Sequence, residues 1–237
     1  MQALTEIAEA DWRVIEAALE TEIQQERMDI IHEAIAIETA DALSTGQHPT
    51  HIVGDCCCTI GIVAGLQRAK QDFTLLWLDS HGDFNNWETS TSGFLGGMPL
   101  AMMIGIGEQR LPKAVGLKKL DENKVWLSDG RDLDPGEVKL LKNSKVRWIK
   151  DPMDLLDAGW PEGPLYIHFD SDVLPSEQVP AMRYPVPGGR KAAEWQKLFG
   201  QLASTGQVIA NSMTAWYPDL DQNGKTAELC LDRKSVV

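Results

Sequence analysis

Phe73-Thr74-Leu75-Leu76-Trp77-Leu78-Asp79-Ser80-His81-Gly82-Asp83 is the stretch that decides the fold. It is apolar almost without interruption and then breaks into polar side chains, the pattern of a buried strand whose carboxyl end opens onto a site. Outward from it, short apolar runs alternate with helical stretches. Residues 51–54 precede a helical 59–70, 73–79 precede 98–106, and 124–128 precede 135–143; 146–149 follow, 165–170 precede 190–203, and 208–213 close the series. That alternation predicts an α/β fold, a mostly parallel sheet with helices on its faces. Near the start, Ile7, Trp12, Ile15, Ala18, Leu19 and Ile23, then Ile30, Ile31, Ala34, Ile35 and Ile37, recur at helical spacing. Residues 5–45 are therefore expected to form two helices or one interrupted helix. No repeat or linker divides residues 1–237, so a single domain is expected, with 1–46 as a helical N-terminal segment.

The 237 residues are 43% hydrophobic, enough for a globular core and unlike a disordered or fibrous chain. Lys and Arg total 22 against 35 Asp and Glu, a net charge of -13 that repels phosphate backbones and anionic membranes. Nucleic acid and membrane are not expected partners; a small molecule is. The first residues are acidic rather than basic and apolar, and no apolar run approaches the roughly 18 residues of a membrane span, so a cytoplasmic protein is expected. Cys56, Cys57 and Cys58 are consecutive and Cys230 is remote, which is no disulfide framework and points to reduced thiols.

Asp79, His81 and Asp83 alternate at the end of the first run, and Asp170 and Asp172 end the run Ile167-His168-Phe169 in the same way. Side chains at i, i+2 and i+4 share one face of an extended chain, so these groups are expected to collect at one sheet edge. A single such pair is well explained as a turn or helix cap. Four aspartates with a histidine repel one another unless a divalent cation compensates them. Mostly carboxylate donors with one imidazole suit Mn²⁺ better than a thiolate-preferring ion.

These segments resemble the ureohydrolases, the arginase and agmatinase family. The family pattern beginning D-A-H-x-D-x-N is matched by Asp79 to Asn85, with Thr89, Ser92 and Gly93 following in order. Its R-D-x-D-P-G-E is matched by Arg131 to Glu137, and its S-x-D-x-D is similar to Phe169-Asp170-Ser171-Asp172. The resemblance implies an arginase-like three-layer fold, a homo-oligomer, and two Mn²⁺ ions per chain. Asp79 and Asp170 would bridge the ions, Asp83 complete one, and His81 and Asp172 the other. Asp83 would also serve as the catalytic acid and base, passing a proton to the departing nitrogen. Asn85 and Ser92 would bind a substrate α-carboxylate, and Asp134 and Glu137 its α-amino group. Asp134-Pro135-Gly136-Glu137 is equally good chemistry for starting a helix, with an N-cap and Pro at N1.

Three positions depart from the pattern. The family's G-G-D-H-S corresponds to Val53-Gly54-Asp55-Cys56-Cys57, which puts Cys56 at a metal-binding histidine. S-G-N-x-H-G-x-P corresponds to Ser92 through Pro99, with Gly96 in place of a proton-shuttling histidine. E-V-N-P corresponds to Ala215-Trp216-Tyr217-Pro218, which leaves no carboxylate to grip a guanidinium. The family's first strand has no visible counterpart ahead of residue 46. Within the family this combination resembles the hydroxyarginine amidinohydrolase of D-cycloserine biosynthesis. The expected function is a metal-dependent C–N hydrolase acting on an arginine-like, N-oxygenated or O-ureido amino acid and releasing urea. The alternative is a metal-binding pseudoenzyme that retains the scaffold.

Overall fold

The computed structural model describes residues 12–18 and 20–231. Strands β1 (Thr50–Ile52), β2 (Thr74–Asp79), β3 (Val125–Asp129), β4 (Arg147–Ile149), β5 (Leu165–Asp170) and β6 (Val208–Thr214) form one six-stranded sheet. The order is β1-β6-β5-β2-β3-β4, and every neighbouring pair is parallel. Each of the six apolar runs is a strand, within a residue or two at its ends.

The pleat divides the apolar residues of the sheet between two helical layers. Leu75, Trp77, Val125, Leu127, Tyr166 and Ala210 pack with α1 (Gln24–Ser44), α2 (Thr59–Arg68), α3 (Pro99–Met103), α4 (Arg110–Ala114) and α5 (Pro135–Lys142). Leu76, Leu78, Trp126, Leu165 and Ile167 face the other way, toward α6 (Asp154–Ala158), α7 (Ala192–Ser204) and α8 (Lys225–Leu231). The three-layer α/β arrangement expected from the sequence is thus present.

Helix α1 buries His32, Ile35, Ala36 and Thr39, spaced as one helical face, against α2. Two glycines make that approach close. A Cβ on Gly61 would lie 2.6 Å from the His32 carbonyl oxygen, and one on Gly65 would lie 2.5 Å from Thr39 Cβ. A side chain at either place would push the helices apart.

Among the described residues, the expectation of a helix ahead of α1 needs correction over 12–18 and 20–23. Residues 12–18 and 20–23 have no helical structure, while Ile7 and Leu19 lie outside the described residues. Val14 and Ile23 are about half exposed, so this stretch buries no continuous apolar face, and without such burial a short helix is marginal. Helices α4, α6 and α8, five to seven residues each, had no clear periodic signal. None of the described helices is long and apolar enough to cross a membrane.

From β2 the chain winds outward through β3 to β4, then returns to β5 on the other side of β2. The winding reverses between β2 and β5, and in open α/β sheets ligands bind beyond the carboxyl ends of strands at such a point.

Candidate active site

Strand β2 ends at Asp79 and β5 at Asp170, and the chain turns in the same way after each. Asp79 Oδ1 accepts the His81 amide at 2.8 Å, and Asp170 Oδ1 accepts the Asp172 amide at 2.8 Å. An aspartate that captures the N–H two residues on makes a tight turn. The expected extended run from Asp79 to Asp83 is therefore not what gathers these side chains. The strand stops at Asp79, the chain bends, and Asp83 adopts a left-handed backbone with φ of 49°.

The turns bring the donors together. His81 Nδ1 lies 2.8 Å from Asp172 Oδ2 and 3.5 Å from Asp79 Oδ1, and the Ser80 amide donates to Asp172 Oδ1 at 3.1 Å. Cys56 Sγ reaches Asp170 Oδ2 at 3.2 Å and Asp79 Oδ2 at 3.9 Å. Trp77 Nε1 donates to Asp79 Oδ2 at 3.1 Å, and Thr214 Oγ1 to Asp170 Oδ2 at 2.9 Å. Asp83 Oδ2 is buried without a hydrogen-bond partner. Two groups have donor atoms within 4.8 Å of one another: Asp79, His81 and Asp172, and Cys56, Asp79 and His168.

Burial raises the pKa of Asp79, Asp83, Asp170 and Asp172 above the ordinary carboxylate range, and the neighbouring carboxylates raise it further; Asp170 reaches about 7. For His81, burial opposes the charge, but hydrogen bonds to Asp172 and Asp79 outweigh it and lift the ring to about 12. Burial and the charges of Asp83, Asp170 and Asp79 push the Cys56 thiol far up. The effects on the four carboxyls and the thiol disfavour negative charge that a divalent cation would stabilise, and in the absence of a cation the His81 ring takes up a proton between its two carboxylates instead. With an orphaned carboxylate oxygen beside thiol, imidazole and carboxylate donors, the site fits a divalent metal centre.

The opposite wall starts helix α5, with Pro135 at its first position. Glu137 Oε1 accepts the Phe84 amide at 2.8 Å and Oε2 the Asp134 amide at 3.1 Å, so this buried carboxylate ties the loop after Asp83 to the helix start. Asp134 accepts from Asn85 Nδ2 at 3.1 Å and Thr91 Oγ1 at 2.9 Å. Asn85 Oδ1 has no partner, and Ser92 Oγ accepts the Phe94 amide at 3.2 Å.

All ten site residues expected from the sequence line one cavity of about 420 Å³: Cys56, Asp79, His81, Asp83, Asn85, Ser92, Asp134, Glu137, Asp170 and Asp172. Gly96 and Ala215 line it as well. The Phe94 ring fills the volume above Gly96, where an added Cβ would lie 2.3 Å from Phe94 Cε1. Cys57 and Cys58 are not in the lining, in keeping with packing roles. Sequence reasoning missed Asp55, Asp132, Met182, Tyr184 and Tyr217 in the wall. It also gave no role to Arg131, whose Nη2 donates to the Asp172 carbonyl at 2.8 Å and which pairs with Asp129. His168 was missed too, although its place two residues before Asp170 puts it on the same strand face.

Residues 3–232 match the model of the arginase family. The chain is 28% identical to the arginase of Bacillus subtilis (strain 168) over 216 residues, 85% of this chain and 72% of that protein. It is 30% identical to the arginase of Brucella melitensis over 226 residues, 86% of this chain and 71% of that one. The crystal structure of the Bacillus subtilis arginase superposes with a TM-score of 0.81 at 25% identity, covering 97% of this chain and 84% of that one. An Entamoeba histolytica arginase, at 18% identity, shares the fold with a TM-score of 0.83 over 99% of this chain and 86% of its own. With this match over nearly its whole length, and with the matched motifs gathered around one cavity, the chain belongs to the arginase family.

Proposed function

We propose that the protein is a binuclear metal-dependent hydrolase that cleaves the bond between the side-chain nitrogen and the guanidine or ureido carbon of an arginine-like amino acid, preferentially one with an N-oxygenated or O-ureido tail; a guanidine carbon leaves as urea or hydroxyurea and a ureido carbon as carbamate. The observation that carries this reading is the convergence of Asp79, Asp83, Asp170, Asp172, His81 and Cys56 on one cavity. Asp79 and Asp170, each reached by the Cys56 thiol, are the bridging candidates. Two divalent ions held there, Mn²⁺ by the preponderance of carboxylate, would lower the pKa of a bound water and supply a nucleophile at neutral pH.

The chain's own groups supply the rest. Asp83 presents a buried, unpartnered oxygen and has a raised proton affinity, which suits it to carry a proton to the departing nitrogen. The side chains of Asn85 and Ser92 offer donors to a carboxylate, and Asp134 an acceptor to an ammonium group. Glu137 has both oxygens committed to backbone amides, so its part is to hold this wall in place.

Two positions separate the substrate from arginine. Ala215 puts no carboxylate against a guanidinium, a loss of about 1.5–3 kcal/mol in a charge-assisted hydrogen bond. Gly96, covered by Phe94, offers no imidazole to protonate a strongly basic leaving amine. A substrate with oxygen on the departing nitrogen, such as O-ureidoserine, releases a much less basic amine, and a neutral ureido carbon needs no carboxylate to hold it, so it depends less on both groups.

The test is release of the amine product by metal-loaded and chelated protein from arginine, hydroxyarginine, O-ureidoserine, agmatine and guanidinobutyrate. Metal-dependent turnover is expected, faster with hydroxyarginine or O-ureidoserine than with arginine. Comparable or better turnover of arginine would reject the specialised substrate, and of agmatine the amino-acid head. No turnover of any of them would reject the hydrolase.

A further inference from the structure

The chain contains an internal comparison among its buried histidines. His32 places Nδ1 2.6 Å from the Met28 carbonyl and Nε2 2.9 Å from the Cys57 carbonyl. His51 places Nε2 2.9 Å from Thr39 Oγ1 and Nδ1 3.2 Å from the Asn211 carbonyl. Each therefore has a polar partner beside both ring nitrogens. His168 does not. Its ring is fully buried and Nδ1 lies 3.0 Å from Ser212 Oγ, yet Nε2 has no hydrogen-bond partner. Buried polar atoms in native proteins are paired with few exceptions, so an orphan asks for an occupant.

The ring is also held in place. It lies against Trp77 with centroids 3.8 Å apart, and Ser212 Oγ is itself 2.7 Å from the Tyr166 hydroxyl. A ring nitrogen of His168, Cys56 Sγ and an Asp79 carboxylate oxygen lie within 4.8 Å of one another. Donors bound to one ion at about 2.0–2.3 Å lie at such separations from one another.

We propose that His168 Nε2 is a ligand of the inner metal ion, together with Cys56 and Asp79. The proposal rests on the metal-centre reading above and deepens it. Cys56, Asp79 and His168 would then hold the inner ion, and Asp79, His81 and Asp172 the outer one. Ser212 and Tyr166 act as positioning residues, because a ligating imidazole is fixed by the hydrogen bond of its other nitrogen. The sulfur and imidazole would make the inner position the softer of the two, so that it would accept Zn²⁺ or Co²⁺ as well as Mn²⁺, whereas the outer would favour harder ions.

The test is heteronuclear NMR of protein with ¹⁵N-labelled histidine rings, loaded with ¹¹³Cd²⁺. Two of the five histidines should show one-bond ¹¹³Cd–¹⁵N coupling. His81→Asn should remove one coupled ring and leave the other, and His168→Asn should remove the second. Loss of a direct ligand should weaken cadmium binding by about tenfold or more, since even outer partners of a ligand act on that scale. Cadmium retained with fewer than two coupled rings in the unaltered protein overturns the proposal and leaves the metal centre standing. No cadmium retained at all overturns both. Should His168→Asn fail to fold, the unaltered protein and His81→Asn decide the matter, because a coupled ring that survives His81→Asn is the expected result.

Discussion

Cys56 carries the sharpest consequence at the scale of single residues. Burial and three carboxylates keep it a thiol, and only a cation can turn it into a thiolate. Cobalt-loaded protein should therefore show a thiolate-to-metal charge-transfer band in the near ultraviolet. Cys56→Ser should abolish the band and Cys57→Ser should leave it, since Cys57 turns its sulfur toward the Leu95 carbonyl at 3.7 Å. A band that survives Cys56→Ser would show the thiol to be mere packing. Asp134 makes a different point. It accepts hydrogen bonds from Asn85 and Thr91 at the cavity wall, contacts made alike in ground and transition states. Asp134→Ala is expected to raise KM more than it lowers kcat, as steady-state kinetics on the preferred substrate would show; a fall in kcat alone would assign it to chemistry.

At the scale of elements, the loop after β2 is tied to the start of α5 by one carboxylate. Glu137→Ala leaves two backbone amides, those of Phe84 and Asp134, without their acceptor. Urea denaturation of metal-free protein is expected to show a loss of about 1–3 kcal/mol. Glu137→Ala at wild-type stability would instead free Glu137 for a substrate role. The strands were legible because each of the six is a short apolar run ended by polar residues. The residues that line the cavity were legible because their motifs are local; Asp79 and Asp170 each turn the chain with Oδ1, while Oδ2 accepts from Trp77 or Thr214 and meets Cys56. What the sequence hid depends on long-range contact. His168 meets Cys56 only once two strands and a helix start come together, and the Phe94 ring over Gly96 packs on Tyr184, distant in sequence. Residues 12–18 and 20–23 misled because spacing alone cannot say whether an apolar face finds a partner.

At the scale of the molecule, a reversal of winding between β2 and β5 concentrates acids that folding would otherwise keep apart. Burial lifts Asp170 and Glu137 to about 7, and the carboxylate partners of His81 hold that ring near 12. All three bind protons in the folded chain at pH values where the unfolded chain has released them, so each makes the fold less stable as pH rises. His51 and His168, lowered by burial to about 4 and about 3, act in the opposite sense, but only below the unfolded value of roughly 6.5. Between about pH 6.5 and 9 the Tm of chelated protein should fall, and a divalent cation should restore it most at the alkaline end. A flat profile, or a metal effect that is larger at acid pH, would show that the acids are compensated without a cation. The most direct test of the two-ion centre is the metal content of manganese-loaded, gel-filtered protein. Two ions per chain are expected, falling to one in Asp172→Asn and to none in Asp79→Asn or Asp170→Asn. One ion or fewer in the unaltered protein, or two retained after either bridging aspartate is replaced, would contradict it.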